Sequence, residues 1–123
     1  MPDAAAATLA PGGSAEAALA FLTEMSPDLR GAAILGADGA VLAASGEAER
    51  WREDAAALFA VADGAEREAV EQVHVATEQG EVFALRHAGY AALAVTERFA
   101  LASLMFFDMR SVLRELARGA DAS

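Results

Sequence analysis

Two histidines, His74 and His87, a handful of serines and nineteen carboxylates are the side chains from which any chemistry here would be built. The chain contains no Cys and no Lys. A thiolate nucleophile, a Cys-ligated zinc or iron–sulfur centre, a P-loop lysine and a Schiff-base amine are therefore excluded. Two imidazoles without thiolates hold a metal only with added carboxylates, and neither histidine stands in a His-x-x-x-His or His-x-Glu spacing. Of the hydroxyls, Ser45, Ser103 and Ser111 are the candidates beside Ser14 and Ser26, and none occupies a Gly-x-Ser-x-Gly elbow. Glu53–Asp54 and the set Glu66, Glu68 and Glu71 read as solvated faces rather than acid–base pairs. The expectation is a protein that is not an enzyme, with no catalytic residues, no cofactor and no metal.

Charge narrows the partners. Nine Arg against nineteen acids leave a net charge of -10 over 123 residues. Such a surface neither neutralises phosphates nor settles on an anionic leaflet, so nucleic acid and membrane are excluded as partners. Ten acids and three Arg fall between Glu47 and Glu81, so that stretch carries seven of the ten excess negative charges. Opposite charge would speed and orient a basic partner there. The longest apolar run, Ala55 to Ala62, is eight residues, well short of the ~20 that a membrane helix needs. No positive charge precedes the first apolar residues, which does not suit a secretory signal. The expected location is cytoplasmic.

The elements follow from local signals. With 34 Ala, one Ile and no Asn, the core must come from Leu, Val, Phe and Ala, and helices are the natural home for so much Ala. Residues 1–13 read as a flexible N-terminal arm, 14–119 as the folded domain and 120–123 as a tail. Ser14 is placed to cap a helix over about 15–25, stopped by Ser26-Pro27. Two short apolar runs flank Asp38-Gly39, a strong hairpin signal, with the return strand at Val41–Ser45. A second helix is expected over Glu47–Asp63, closed at Gly64. Strands are expected at Val70–Glu78, Glu81–His87 and Tyr90–Thr96, joined by short turns into an antiparallel meander. The last of them is apolar on both faces, as a strand covered by helices on both sides would be. A third helix is expected from Arg98 to Arg118, with Arg110, Arg114 and Arg118 on one stripe that suits a helix C-terminus. The sum is α/β: five antiparallel strands and three helices in the order α-β-β-α-β-β-β-α, a three-layer sandwich.

The second helix is apolar all the way round. Trp51, Ala55, Leu58, Phe59 and Ala62 would lie on the sheet, which leaves Ala56, Ala57, Ala60 and Val61 pointing elsewhere. A lone surface helix shows one apolar stripe and one polar face, so the remainder is either an exposed face of small residues or is covered by a second copy.

Leu29-Arg30-Gly-Ala-Ala-Ile-Leu-Gly-Ala-Asp38-Gly39-Ala-Val-Leu-Ala-Ala-Ser45 resembles the first hairpin of the roadblock / dynein light-chain family. Val73 to Arg86, with its turn at Gly80, is similar to that family's central hairpin. Ala91, Leu93, Ala94 and Val95, followed by a helix with Met109, Arg110 and Leu113, also fit, so the resemblance covers about 15–118. It implies a profilin-like layered fold and a homodimer in which the second helices pack together and the third strands pair. The interface would draw on Trp51, Ala56, Ala57, Ala60, Val61, Val73 and Val75. The resemblance further implies a non-enzymatic regulator or scaffold for a small Ras-like GTPase, met through Glu49, Glu53, Asp54, Arg110 and Arg114. The charged step Ala65–Ala69 departs from the family's Gly-rich one; it either extends the second helix or alters the dimer edge. A PAS- or GAF-like small-molecule sensor is the rival reading, and it requires a ligand cavity between the sheet and the last helix.

Overall fold

The computed structural model describes residues 14–65 and 71–122. The expected arm 1–13 and residues 66–70 of the charged step lie outside the described residues. The elements are α1 (Ser14–Met25), β1 (Leu29–Gly36), β2 (Val41–Ala44), α2 (Ala48–Ala65), β3 (Gln72–Ala76), β4 (Glu81–His87), β5 (Tyr90–Thr96) and α3 (Ala102–Ala122). Their order is the expected one. All strand pairs are antiparallel and the sheet runs β2-β1-β5-β4-β3.

Local chemistry explains the first hairpin. Gly39 takes φ +86°, a conformation that glycine adopts without penalty. The Asp38 carboxylate accepts the Ala40 N–H at 3.0 Å, and the Gly36 N–H reaches the Ala40 carbonyl at 2.9 Å. Alternation along the strands then divides the side chains between two cores. Ala32, Ile34, Phe83, Leu85, Ala92 and Ala94 pack beneath α1 and α3, where Leu22, Met109 and Leu113 are wholly buried. Ala33, Leu35, Ala84 and Leu93 face the other way, against Ala55 and Phe59 of α2. β5 lies at the centre of the sheet, which explains its apolar residues on both faces.

Four boundaries differ from expectation. β3 stops at Ala76 because Thr77 leaves the ladder to build the turn: its hydroxyl accepts the N–H groups of Gln79 and Gly80 and donates to the Gly80 carbonyl at 2.7 Å. α3 starts at Ala102 rather than Arg98, since Phe99 takes φ +65° and its N–H is held by the Glu81 carboxylate. At their ends, α2 and α3 run on past Gly64 and Gly119 to Ala65 and Ala122. A glycine terminates a helix when it enters the left-handed region, and neither of these does.

Candidate functional site

α2 crosses one face of the sheet chiefly over β1 and β2, with Ala55 and Phe59 reaching the Ala84 and Leu93 side chains of β4 and β5. Trp51 anchors its first turn: the indole N–H donates to the Ser45 carbonyl at 2.6 Å, and a Cβ on Gly31 would meet the ring at 3.3 Å. That glycine is what admits the indole to the sheet. Ser45 is occupied too, its hydroxyl accepting the Ala32 N–H at 2.8 Å and donating to the Ala32 carbonyl. Nearer the helix's end, Arg86 on β4 meets Asp63 with both oxygens and lies 4.0 Å above the Phe59 ring. Ala55 and Phe59 are buried, whereas Ala56, Ala57 and Ala60 are exposed and Val61 is 73% exposed.

Because α2 sits chiefly over β1 and β2, the other half of that sheet face is covered by no helix among the described residues. Cross-strand register places Val75, Val82 and Val95 in one row there, and Val73 in the row of Ala84 and Leu93. Val82 and Val95 are half-buried and Val75 is 39% exposed. Among the described residues β3 is an edge strand pairing only with β4, which leaves one side of its backbone without a partner strand there. The bare side of α2, the valine row and the free edge all belong to one side of the molecule. Alongside α2 runs an open cleft of about 740 Å³, bounded by Ala56, Phe59 and Ala60, by the β1–β2 turn, and by His87 and Tyr90.

The remaining candidates are placed apart. Glu49, Glu53 and Asp54 are exposed on α2, Glu49 pairing with Arg52 at 3.1 Å. Arg110 and Arg114 belong to α3, on the opposite face of the sheet, and Arg110 reaches Gln72 and Glu71. The five expected partner-contact residues are thus split between two faces. A cavity under the last helix, which the sensor reading requires, would have to form where Phe83, Leu85, Met105, Phe106, Met109 and Leu113 fill the space.

His74 is engaged structurally. Its Nε2 lies 2.6 Å from Glu81 Oε1, and its ring stacks on Phe83 at 4.4 Å. Glu81 is buried; the hydrogen bond from His74, with that from the Phe99 N–H, holds its carboxyl below the usual range against the opposing effect of burial. Among the described residues no serine is hydrogen-bonded to a histidine, and no group of three or more acids and histidines gathers as for a metal. The Arg86–Asp63 and Glu81–Phe99 contacts were missed from sequence. A signal for the first existed: Arg86 shares a strand face with Val82 and Ala84, where a charge needs a partner.

An open antiparallel sheet with one helix on one face and two on the other, carrying a bare helix side and a free strand edge, defines a layered α/β protein built to present surfaces. Solved structures place it more narrowly. A roadblock/LC7 domain from Streptomyces avermitilis superposes with a TM-score of 0.69 at 20% identity, over 86% of this chain and 96% of that one. The gliding protein MglB from Thermus thermophilus gives 0.75 at 18% identity, over 93% of each chain. An MglB with tetrameric arrangement gives 0.67 at 20% identity, over 92% of each. No protein-family model and no curated protein matches the chain. The chain has the roadblock/LC7 fold, as the resemblance in its sequence implied.

Proposed function

We propose that this chain is a non-enzymatic homodimer that regulates or scaffolds a small Ras-like GTPase. The observation that carries the dimer is the coincidence, on one side of the sheet, of α2's outward Ala56, Ala57, Ala60 and Val61 with the uncovered Val75–Val82–Val95 row. A second copy related by a two-fold axis would bring the same surface to itself. Small residues on α2 allow close helix approach, and pairing of the two β3 edges would satisfy their open backbone groups while extending the sheet. Self-association of an MglB in a tetrameric arrangement supports this reading.

The GTPase partner follows from the roadblock resemblance and from charge. Glu49, Glu53 and Asp54 flank the α2 seam, so a dimer would present two acidic rims beside one another. A partner with basic residues near its switch loops would be steered to them. By favouring one switch conformation the dimer would shift the nucleotide cycle without a nucleotide site of its own.

Sedimentation tests the assembly. Ala57→Glu and Val61→Glu each place a carboxylate in the seam and should halve the particle mass while leaving the circular dichroism spectrum intact. Unchanged mass in both variants overturns the seam. GTP turnover by a captured small GTPase, measured with and without the dimer, then separates a regulator from a scaffold.

A further inference from the structure

Glu81 is a buried carboxylate that the α2 seam does not use, and it stands between two loosely held parts of the molecule. One part is β3. Its side chains are exposed or half-buried, and among the described residues it pairs only with β4. Beside the reach of Arg110 to Gln72, His74 is what ties it to the layer of α3. The His74 ring stacks on the wholly buried Phe83 at 4.4 Å and 9° from parallel, and it meets Phe106 edge-on at 6.5 Å. From that position Nε2 lies 2.6 Å from Glu81 Oε1.

The other part is the connection from β5 to α3. Its ends are fixed: the Glu97 N–H donates to the Asp28 carbonyl at 2.9 Å, and Ala100 and Ala102 pack against the core. Phe99, between them, is not fixed by packing. Its ring is 82% exposed and has the neighbouring Arg98 guanidinium at 4.7 Å. Yet Phe99 stands at φ +65°, a region that a residue with a side chain enters at a cost and keeps only while its surroundings hold it. Glu81 Oε2 supplies the hold by accepting the Phe99 N–H.

One carboxylate therefore bonds to both parts. Its two oxygens are rigidly joined, so it cannot turn away from His74 without moving the acceptor of the Phe99 N–H. The Glu81 backbone is pinned in the ladder opposite Ala76 of β3 and Thr96 of β5, which leaves the side chain as the moving piece. Room to move exists. An open hollow of about 340 Å³ lies beside it, bounded by Thr77, Glu78, Arg98 and Phe99. A buried carboxylate that loses one donor is driven to find another group or water.

We infer that Glu81 couples the β3 edge to the turn before α3. While His74 holds the carboxylate, Phe99 is kept in the left-handed region; when either bond is lost the other weakens, and Phe99 relaxes to negative φ. The Phe99 backbone is thus the two-state element that both ends bias, and such coupling is reciprocal. Because β3 is also the strand on which the proposed twin would pair, pairing there would be felt at Phe99. That consequence rests on the dimer reading, whereas the coupling itself does not.

Amide hydrogen exchange followed residue by residue tests the coupling, in the parent chain and in Val61→Glu. Particle mass is read separately, so a failed seam and a failed coupling are told apart. His74→Phe keeps a ring on Phe83 but offers the carboxylate no N–H. It should speed exchange at Phe99 by about tenfold or more, although His74 shares no hydrogen bond or ring contact with Phe99. Phe99→Pro removes the N–H and forbids positive φ. It should speed exchange at Val73 and Val75 by about tenfold or more; their N–H groups face β4, in step with the Glu71–Arg86 and Thr77–Gly80 bonds of the same ladder. Ala33 and Leu93, at the middle of the sheet, should be unchanged in both variants. His74→Gln, which retains an N–H for the carboxylate, should keep Phe99 protected. An effect confined to the substituted end in either variant overturns the inference. So does an equal rise at Ala33 and Leu93, which would be general loosening, or a loss of Phe99 protection in His74→Gln as large as in His74→Phe.

Discussion

Arg86 closes on Asp63 through both carboxylate oxygens, at 3.0 and 2.9 Å, across 23 positions of chain. The same guanidinium covers the Phe59 ring. One side chain of the sheet therefore fastens the C-terminal half of α2 by charge and by stacking. Both partners are about one-third exposed, so the ion pair contributes about 1 kcal/mol or less. The stacked cation adds about 0.5–1 kcal/mol.

Replacing Arg86 with Met should accordingly lower unfolding free energy by about 1–2 kcal/mol. Asp63→Asn should cost less, since it spares the stacking. Urea denaturation of both single variants and the double variant checks this: the double should cost less than the two singles combined, because the residues act on one another.

Gly80→Ala should be more damaging than any loop substitution nearby. Gly80 has φ +155°, and a methyl there would run into the Thr96 carbonyl oxygen, a backbone atom that cannot swing aside. The expected loss is about 2 kcal/mol or more. Thermal melting beside a Gly89→Ala control separates crowding from φ strain, because Gly89 also has positive φ but nothing near its Cβ position.

Glu81 gives the fold a dependence on acid. Its carboxyl titrates below the ordinary value, chiefly through the His74 hydrogen bond. A carboxyl depressed in the folded state stabilises above its unfolded pKa, and that contribution disappears as pH falls through the folded value. Glu81→Gln should therefore melt lower than the parent at neutral pH, and the gap should close as the solution is taken below the usual carboxylate range. A gap independent of pH would show that shape, not charge, does the holding.

Asp108 has the opposite sign. It is buried on α3, and desolvation raises its carboxyl above the ordinary value. The folded state keeps the proton longer, so stability declines as pH rises from the unfolded value through the raised one. Asp108→Asn should raise the melting temperature at neutral pH, with the advantage vanishing in acid where the aspartate is already neutral. Melting curves across that range test it.

Much of this architecture could be read from local signals. Asp38-Gly39 marks the first hairpin, the alternation from Glu81 to His87 marks β4, and the two-faced apolar run from Tyr90 marks the central strand. The orientation of α2 was legible as well, because Ala55 and Phe59 recur at helical spacing while Val61 does not share their side. Errors gathered at element ends that side chains decide. β3 ends early because the Thr77 hydroxyl captures its own turn, a local bond that strand alternation does not register, and α3 begins late because Glu81, eighteen positions back, holds the Phe99 N–H.

Of the candidate contact residues, spacing along α2 correctly set Ala56, Ala57, Ala60 and Val61 outward from the subunit. It could not tell that Trp51 is engaged at Gly31 and Ser45, nor that Glu53 and Arg114 lie on opposite layers. By itself the sequence determined the elements, their order and the absence of thiol and lysine chemistry, since these depend on near neighbours and on residue types alone. Only the tertiary structure decided which faces remain bare, because exposure depends on where α2 falls across five strands: it lies chiefly over β1 and β2 and leaves the valine row part-exposed, whereas α1 and α3 fill the opposite face.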